Sequence, residues 1–105
     1  MNSARISQLL ATRPQSNLGW ALYVAPPENP HHSSMGLAVP KRLVAKAIDR
    51  NRIKRMAREL VRLKTSQANH QDRVLKLKAP VGKKTGGRLR LKEKKQLQIW
   101  LAEIL

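Results

Sequence analysis

Residues 49 to 64 read Asp49-Arg50-Asn51-Arg52-Ile53-Lys54-Arg55-Met56-Ala57-Arg58-Glu59-Leu60-Val61-Arg62-Leu63-Lys64, a helix whose two sides call for different partners. At roughly 100° per residue, Ile53, Met56, Ala57 and Leu60 fall on one stripe, the i, i+3, i+4, i+7 pattern of a side packed on a core. Asn51, Lys54, Arg55, Arg58 and Arg62 gather on the other side, with only Glu59 nearby to offset them. Like charges at i,i+4 destabilise a free helix, so this face becomes favourable only against a polyanion. Arginine suits such contact because its planar fork bonds two phosphate oxygens or stacks on a base, whereas lysine supplies a point charge.

The whole chain repeats this imbalance. Twenty-two Lys and Arg stand against six Asp and Glu, a formal charge of +16 and a pI near 11.6, which makes nucleic acid the default partner. The 105 residues are enough for one domain, residues 1 to 105, with a modest core. Cysteine is absent, which excludes a disulfide framework, a thiolate zinc site and a cysteine nucleophile. No run approaches the roughly 20 apolar residues that span a bilayer, so the expected setting is soluble and cytoplasmic, with no membrane partner.

Working outward from the helix, Met35-Gly36-Leu37-Ala38-Val39 alternates large and small and predicts a strand that leads into the basic pair Lys41-Arg42. Leu18 to Ala25 predicts another, with Trp20, Leu22 and Val24 toward the core and Gly19, Ala21 and Tyr23 on the opposite face. The small sides of these two strands are expected to lie together as a shallow open surface carrying Tyr23. Pro26 to Ser34 and Thr65 to Gln71 read as loops. Between Lys41 and Ile48, Ala47 and Ile48 fall off the apolar stripe, so the long helix is expected to begin near Asp49 and to be capped by it. In the strand from Asp72 to Ala79 only the side of Leu75, Leu77 and Ala79 is fit for burial, the pattern of a sheet covered on one face. Ser3 is expected to cap a short first helix with Ile6, Leu9 and Leu10 inward, at the sheet edge, and Leu97, Trp100, Leu101 and Ile104 mark a last helix from about Leu91.

Arg50-Asn51-Arg52-Ile53-Lys54-Arg55 followed by Arg58-Glu59 resembles the RNR signature of the bacterial ribonuclease P protein component. The likeness includes the strand Trp20-Ala21-Leu22-Tyr23-Val24, the strand ending in Lys41-Arg42 eight positions before the motif, the strand from Asp72 and the last helix, in order, over about residues 4 to 105. The resemblance implies an α+β fold: a small, mostly antiparallel sheet of three to four strands packed against helices, with a left-handed βαβ crossover like that of the second domain of ribosomal protein S5. It also implies a function as the protein subunit of ribonuclease P, which removes the 5′ leader of precursor tRNA. In that family the RNA subunit is the catalyst and holds the Mg2+ ions, so no catalytic residue and no metal ligand is expected here. Lys41, Arg42, Arg50, Asn51, Arg52, Lys54, Arg55, Arg58 and Arg62 would bind the RNA subunit. Tyr23, Lys76 and Lys78 would hold the single-stranded leader, the tyrosine by stacking on an unpaired base. The family's first helix usually carries aromatic residues facing the substrate; here there are none, phenylalanine being absent from the chain.

Other chemistries lack their residues. His31, His32 and His70 have no partners at ligand spacing, and Glu28, Asp49, Glu59, Asp72, Glu93 and Glu103 are too scattered in sequence for a general acid/base couple or a two-metal nuclease. No glycine-rich phosphate loop suggests a small-molecule substrate. Residues 1 to 27 contain no acid and include Arg5 and Arg13, as a mitochondrial presequence would, but a first helix of the family accounts for the same segment. The alternative of a different class is a small basic structural RNA-binding protein such as a ribosomal protein, which needs the same charge.

Overall fold

The computed structural model describes residues 2–29, 34–64, 71–83 and 85–105. Helix α1 (Ser3–Leu10) is followed by a two-residue strand β1 (Gln15–Ser16), then β2 (Trp20–Ala25), β3 (Met35–Ala38), helix α2 (Ala47–Lys64), β4 (Asp72–Leu77) and helix α3 (Leu91–Ile104). The four strands form one sheet in the order β1-β2-β4-β3, antiparallel except for the β3/β4 pair. This is the α+β, mostly antiparallel architecture the sequence implied.

One neighbour relation differs from expectation: β2 and β3 do not touch along their small sides, because β4 lies between them. A parallel pair needs a crossover of a dozen or more residues, and α2 supplies it between β3 and β4. The registers then align Tyr23 with Val74 and Gly36, and Ala21 with Lys76 and Ala38, as rows on one face of the sheet. On the other face Leu22, Leu75 and Leu37 share a row, and Trp20 stands opposite Leu77.

That second set belongs to the main core, with Ile53, Met56, Ala57 and Val61 of α2 and Leu97, Leu101 and Ile104 of α3. Trp20 is fully buried, and its indole N–H donates to the Leu97 carbonyl at 3.0 Å, which satisfies the polar atom of an otherwise apolar anchor. Gly19 leaves room for the α3 tryptophan: a Cβ there would sit 2.6 Å from Cε3 of Trp100. Asn17 ties the same corner, donating to the Trp100 carbonyl at 2.6 Å and accepting from the N–H groups of Gly19 and Trp20.

The sheet is not covered on one side only. Leu9, Ala21 and Val74 are buried outside the main core cluster, because α1 lies against β2 and β4 on the Tyr23 face. Burying Leu9 gains about 1.5–3 kcal/mol, whereas Leu10, expected to face inward, is 41% exposed. The cap of α1 is Asn2 rather than Ser3: its side-chain oxygen accepts from the Arg5 N–H at 2.8 Å.

Helix α2 begins at Ala47, two residues before the expected start, and Asp49 sits within its first turn instead of capping it. Ala47 and Ile48 miss the apolar stripe because they face water, Ile48 at 61% exposure, and the Lys46 carbonyl accepts the Arg50 N–H that opens the helix. The buried Asp49 carboxylate accepts the Leu89 N–H at 3.0 Å, so it pins the segment before α3 to the start of α2 while complementing the positive helix end. Among the described residues, no helix is long and apolar enough to cross a membrane. His31, His32 and His70 lie outside the described residues, as does nearly all of the expected loop from Thr65 to Gln71.

Candidate nucleic-acid interface

The cationic face of α2 is presented outward, but its residues divide by what they touch. Asn51, Arg55 and Arg58 are exposed, and Arg55 and Arg58 have no ion-pair partner among the described residues. Arg62 is already engaged: Glu59, three residues earlier, accepts from its guanidinium at 2.6 and 3.3 Å. That bond and the opposite charge hold Glu59 below the usual carboxylate range and raise Arg62. Arg50 is half-buried and spends one nitrogen on the Val44 and Ala45 carbonyls, both at 3.0 Å; it closes the turn before α2. Arg52 lies on the flank toward α3, 3.9 Å from Asp49 and still 56% exposed at its side chain. Lys54 is half-buried on the other flank.

Arg42 is separated from this face. It lines a groove of about 360 Å³ on the Tyr23 face of the sheet, together with Tyr23, Lys76, Lys78, Ala21 and Ser16. Lys41 neighbours it on an exposed turn. The groove therefore gathers all three residues expected to hold a leader and adds Arg42, which had been grouped with the helix. Lys78 is steadied by donating to the Asn17 carbonyl at 3.0 Å, while Gly36 and Ala38 keep the rows beyond Val74 and Lys76 low. A half-buried tyrosine flanked by three cations can stack on a base and neutralise its phosphates. Ser16 and β1 were missed in sequence because two residues leave no alternation to detect.

One wall of this face depends on a contact that sequence reasoning also missed. Asp72, 1% exposed, accepts from Arg5 Nε at 2.9 Å, from the Ser34 N–H at 3.0 Å and from the Glu28 N–H at 3.3 Å. Burial alone would raise its carboxyl; the bonds from Arg5, Ser34 and Glu28, with the charge of Arg5, outweigh it and hold the group below the usual range. Arg5 also donates to the Pro26 carbonyl, so the clamp ties α1 to the ends of β2 and β4 and to the residue entering β3. Partners 67 positions apart leave no local pattern. Burial lowers the neighbouring Arg73 from its ordinary value, yet a guanidinium remains charged in proteins.

Asp49 is bonded to a backbone N–H, Glu59 to Arg62 and Glu93 to the Gly82 N–H at 3.0 Å, while Asp72 and, at 3.8 Å, Glu28 share Arg5. Among the described residues, no three histidine or acidic side chains come together as a metal-ligand set.

Comparison with known proteins gives the same architecture and family. The protein component of ribonuclease P from Methylococcus capsulatus is 38% identical over 66 residues, covering 63% of this chain and 52% of that protein. Its counterpart from Pasteurella multocida is 43% identical over 60 residues, 57% of this chain and 50% of that protein. The chain spans about half the length of these curated relatives. The RNase P protein of Staphylococcus aureus superposes with a TM-score of 0.72 over 99% of this chain and 88% of that one, at 21% identity. That of Thermotoga maritima, solved in complex with 1-(4-fluorophenyl)-2-thiourea, gives 0.61 over the full length of both chains, also at 21% identity. With the Ribonuclease P family model matching residues 4–100, the chain belongs to the family of bacterial ribonuclease P protein components.

Proposed function

We propose that this chain is the protein subunit of ribonuclease P in the bacterial cytoplasm, binding the RNA subunit and the 5′ leader of precursor tRNA to assist endonucleolytic removal of the leader. The observation that carries the reading is the pair of exposed guanidinium groups, Arg55 and Arg58, without an ion-pair partner among the described residues, on the outward face of a helix whose other side is fixed in the core. Placement on a helix fixed in the core leaves only the side-chain ordering cost, about 0.5–1.5 kcal/mol for each arginine, and each phosphate neutralised releases counterions. Asn51 beside them offers both a donor and an acceptor to a phosphate or a ribose hydroxyl. The groove of Tyr23, Arg42, Lys76 and Lys78 offers three cations to the phosphates of a single strand, with the tyrosine supplying a sequence-tolerant stacking surface. Catalysis is assigned to the RNA subunit with its Mg2+, in keeping with the family, and among the described residues no three acidic or histidine side chains of this chain gather as a metal-ligand set. The chain's own contribution is positional and electrostatic: it holds two RNA segments and lowers the repulsion between their phosphates.

Reconstitution tests this. The purified chain with the cognate RNA subunit should restore cleavage of precursor tRNA at low magnesium, and no cleavage should occur without the RNA. Arg55→Ala with Arg58→Ala should weaken RNA-subunit binding by on the order of tenfold per contact and reduce the salt slope by about 2, with folding unchanged. Tyr23→Ala should reduce the preference for precursor over mature tRNA by about 1–3 kcal/mol and leave assembly intact. Normal assembly of the double variant refutes the helix assignment; equal loss for both tRNA forms refutes the groove. Association with ribosomal subunits and no rescue of cleavage favours the structural RNA-binding alternative.

A further inference from the structure

A second groove, of about 560 Å³, runs between α2 and α3. Its floor is apolar, formed by Met56, Leu60 and Leu63, and its rim is cationic, with Arg52, Arg55 and Lys94. Leu63 is 65% exposed there. A smaller hollow of about 220 Å³ adjoins the start of α3, between Arg52, Arg90 and Lys94. Because Arg52 and Lys94 line both, the two form one surface with a wide apolar compartment and a narrow cationic one.

The nearby acids do not neutralise it. Glu59, on the rim of the larger groove, is held by Arg62, and Asp49 is buried, bonded to the Leu89 N–H and only loosely near Arg52 at 3.9 Å. Arg55, Arg90 and Lys94 have no carboxylate partner among the described residues. Three cations around one small hollow repel each other unless an anion sits between them. A duplex backbone would meet that charge and leave the apolar floor in water, while an apolar protein helix would cover the floor and leave the cations unpaired. A nucleotide whose base is out of the stack has both parts, a flat body of low polarity and a phosphodiester.

We propose that this groove takes one unpaired nucleotide of the RNA subunit, with its base over Met56, Leu60 and Leu63 and its phosphate among Arg52, Arg90 and Lys94. The side-chain amide of Gln98, which also lines the groove, is placed to hydrogen-bond a base edge. The proposal rests on the RNA-binding reading above and extends it: it makes α3 part of the RNA interface and adds recognition of an extruded base to the grip on phosphates.

The test uses the full chain and its cognate RNA subunit. Leu63→Ser removes apolar floor without adding charge and should lower affinity about tenfold while leaving the salt slope unchanged. Arg90→Ala with Lys94→Ala should lower affinity and flatten the slope of log affinity against log salt by about 0.7–0.9, the share of the one phosphate held there. With 4-thiouridine in the RNA, photocrosslinks to the peptide containing Leu60 and Leu63 should map to an unpaired position. Melting curves control for folding; if Leu63→Ser melts early, the cationic pair and the crosslinks decide alone. Wild-type affinity of both groove variants, with Arg58→Ala still weakened, overturns the groove and spares the general reading; wild-type affinity of all three overturns both. Crosslinks confined to paired nucleotides, or a Leu63→Ser change in self-association with RNA affinity intact, also overturn it, the latter by giving the surface to a second copy of the chain.

Discussion

Asp72→Asn keeps the shape of a buried side chain and removes its charge, so it isolates what the clamp between α1 and the sheet contributes. In the native chain the carboxylate accepts from Arg5 Nε, the Ser34 N–H and the Glu28 N–H at 2.9 to 3.3 Å. The asparagine oxygen can keep either the Arg5 and Glu28 bonds, which share Oδ2, or the Ser34 bond at Oδ1, while its NH₂ group meets the remaining donor and in either orientation the charge that pairs Arg5 is gone. Removing one partner of a buried ion pair costs about 3–5 kcal/mol. Arg5 retains 16% side-chain exposure and its bond to the Pro26 carbonyl, so the lower end applies, about 3 kcal/mol, or about 12–24 °C in Tm for a domain near this size. Urea unfolding of the two proteins at a series of pH values is the assay. The folded-state pKa of Asp72 is depressed below its ordinary 3.8, so the stabilisation is fully present above that value and is lost as pH falls through the folded-state value. The gap between wild type and Asp72→Asn should therefore be constant at neutral pH and close in acid below the ordinary carboxylate value. A difference under about 0.5 kcal/mol at pH 7, the range of ordinary surface changes, or a gap that does not close in acid, refutes the clamp.

Three further outcomes follow from single contacts. Gly19→Ala places a methyl 2.6 Å from the Trp100 ring and should cost about 1–3 kcal/mol through a displaced indole, read as a lower urea midpoint; an unchanged midpoint would show that α3 yields freely there. Arg50→Ala should act on stability, by about 1–2 kcal/mol for the carbonyl bonds lost, and should change RNA affinity less than Arg55→Ala; the reverse order would return Arg50 to the RNA-contacting set. Glu59→Gln removes the one acid beside the cationic face and frees Arg62, so RNA affinity should rise several-fold and its salt slope steepen by about 1, while a loss of affinity would mean that the Glu59–Arg62 pair itself contacts RNA.

The sequence by itself determined the local elements and the two-sidedness of α2. Periodicity is a short-range property, so the stripe of Ile53, Met56 and Ala57, the alternation about Trp20 and Leu22, and the helix opening at Leu91 were readable residue by residue. The Arg62–Glu59 pair had a local signal, three residues apart on one helix, but by sequence alone Arg62 groups with the RNA-binding cations and Glu59 stands only as the acid nearby. Ala47 and Ile48 show the limit: an exposed pair of helical residues looks like no helix at all when burial supplies the signal. Tertiary structure alone decided that β4 separates β2 from β3, that α1 covers part of the Tyr23 face through Leu9 and Arg5, and that Arg42 stands with Tyr23 while Arg50 serves a turn. Those outcomes depend on register and on partners distant in the chain, where bonds such as Arg5 to Asp72 and Asp49 to Leu89 form only after the sheet has brought their elements together.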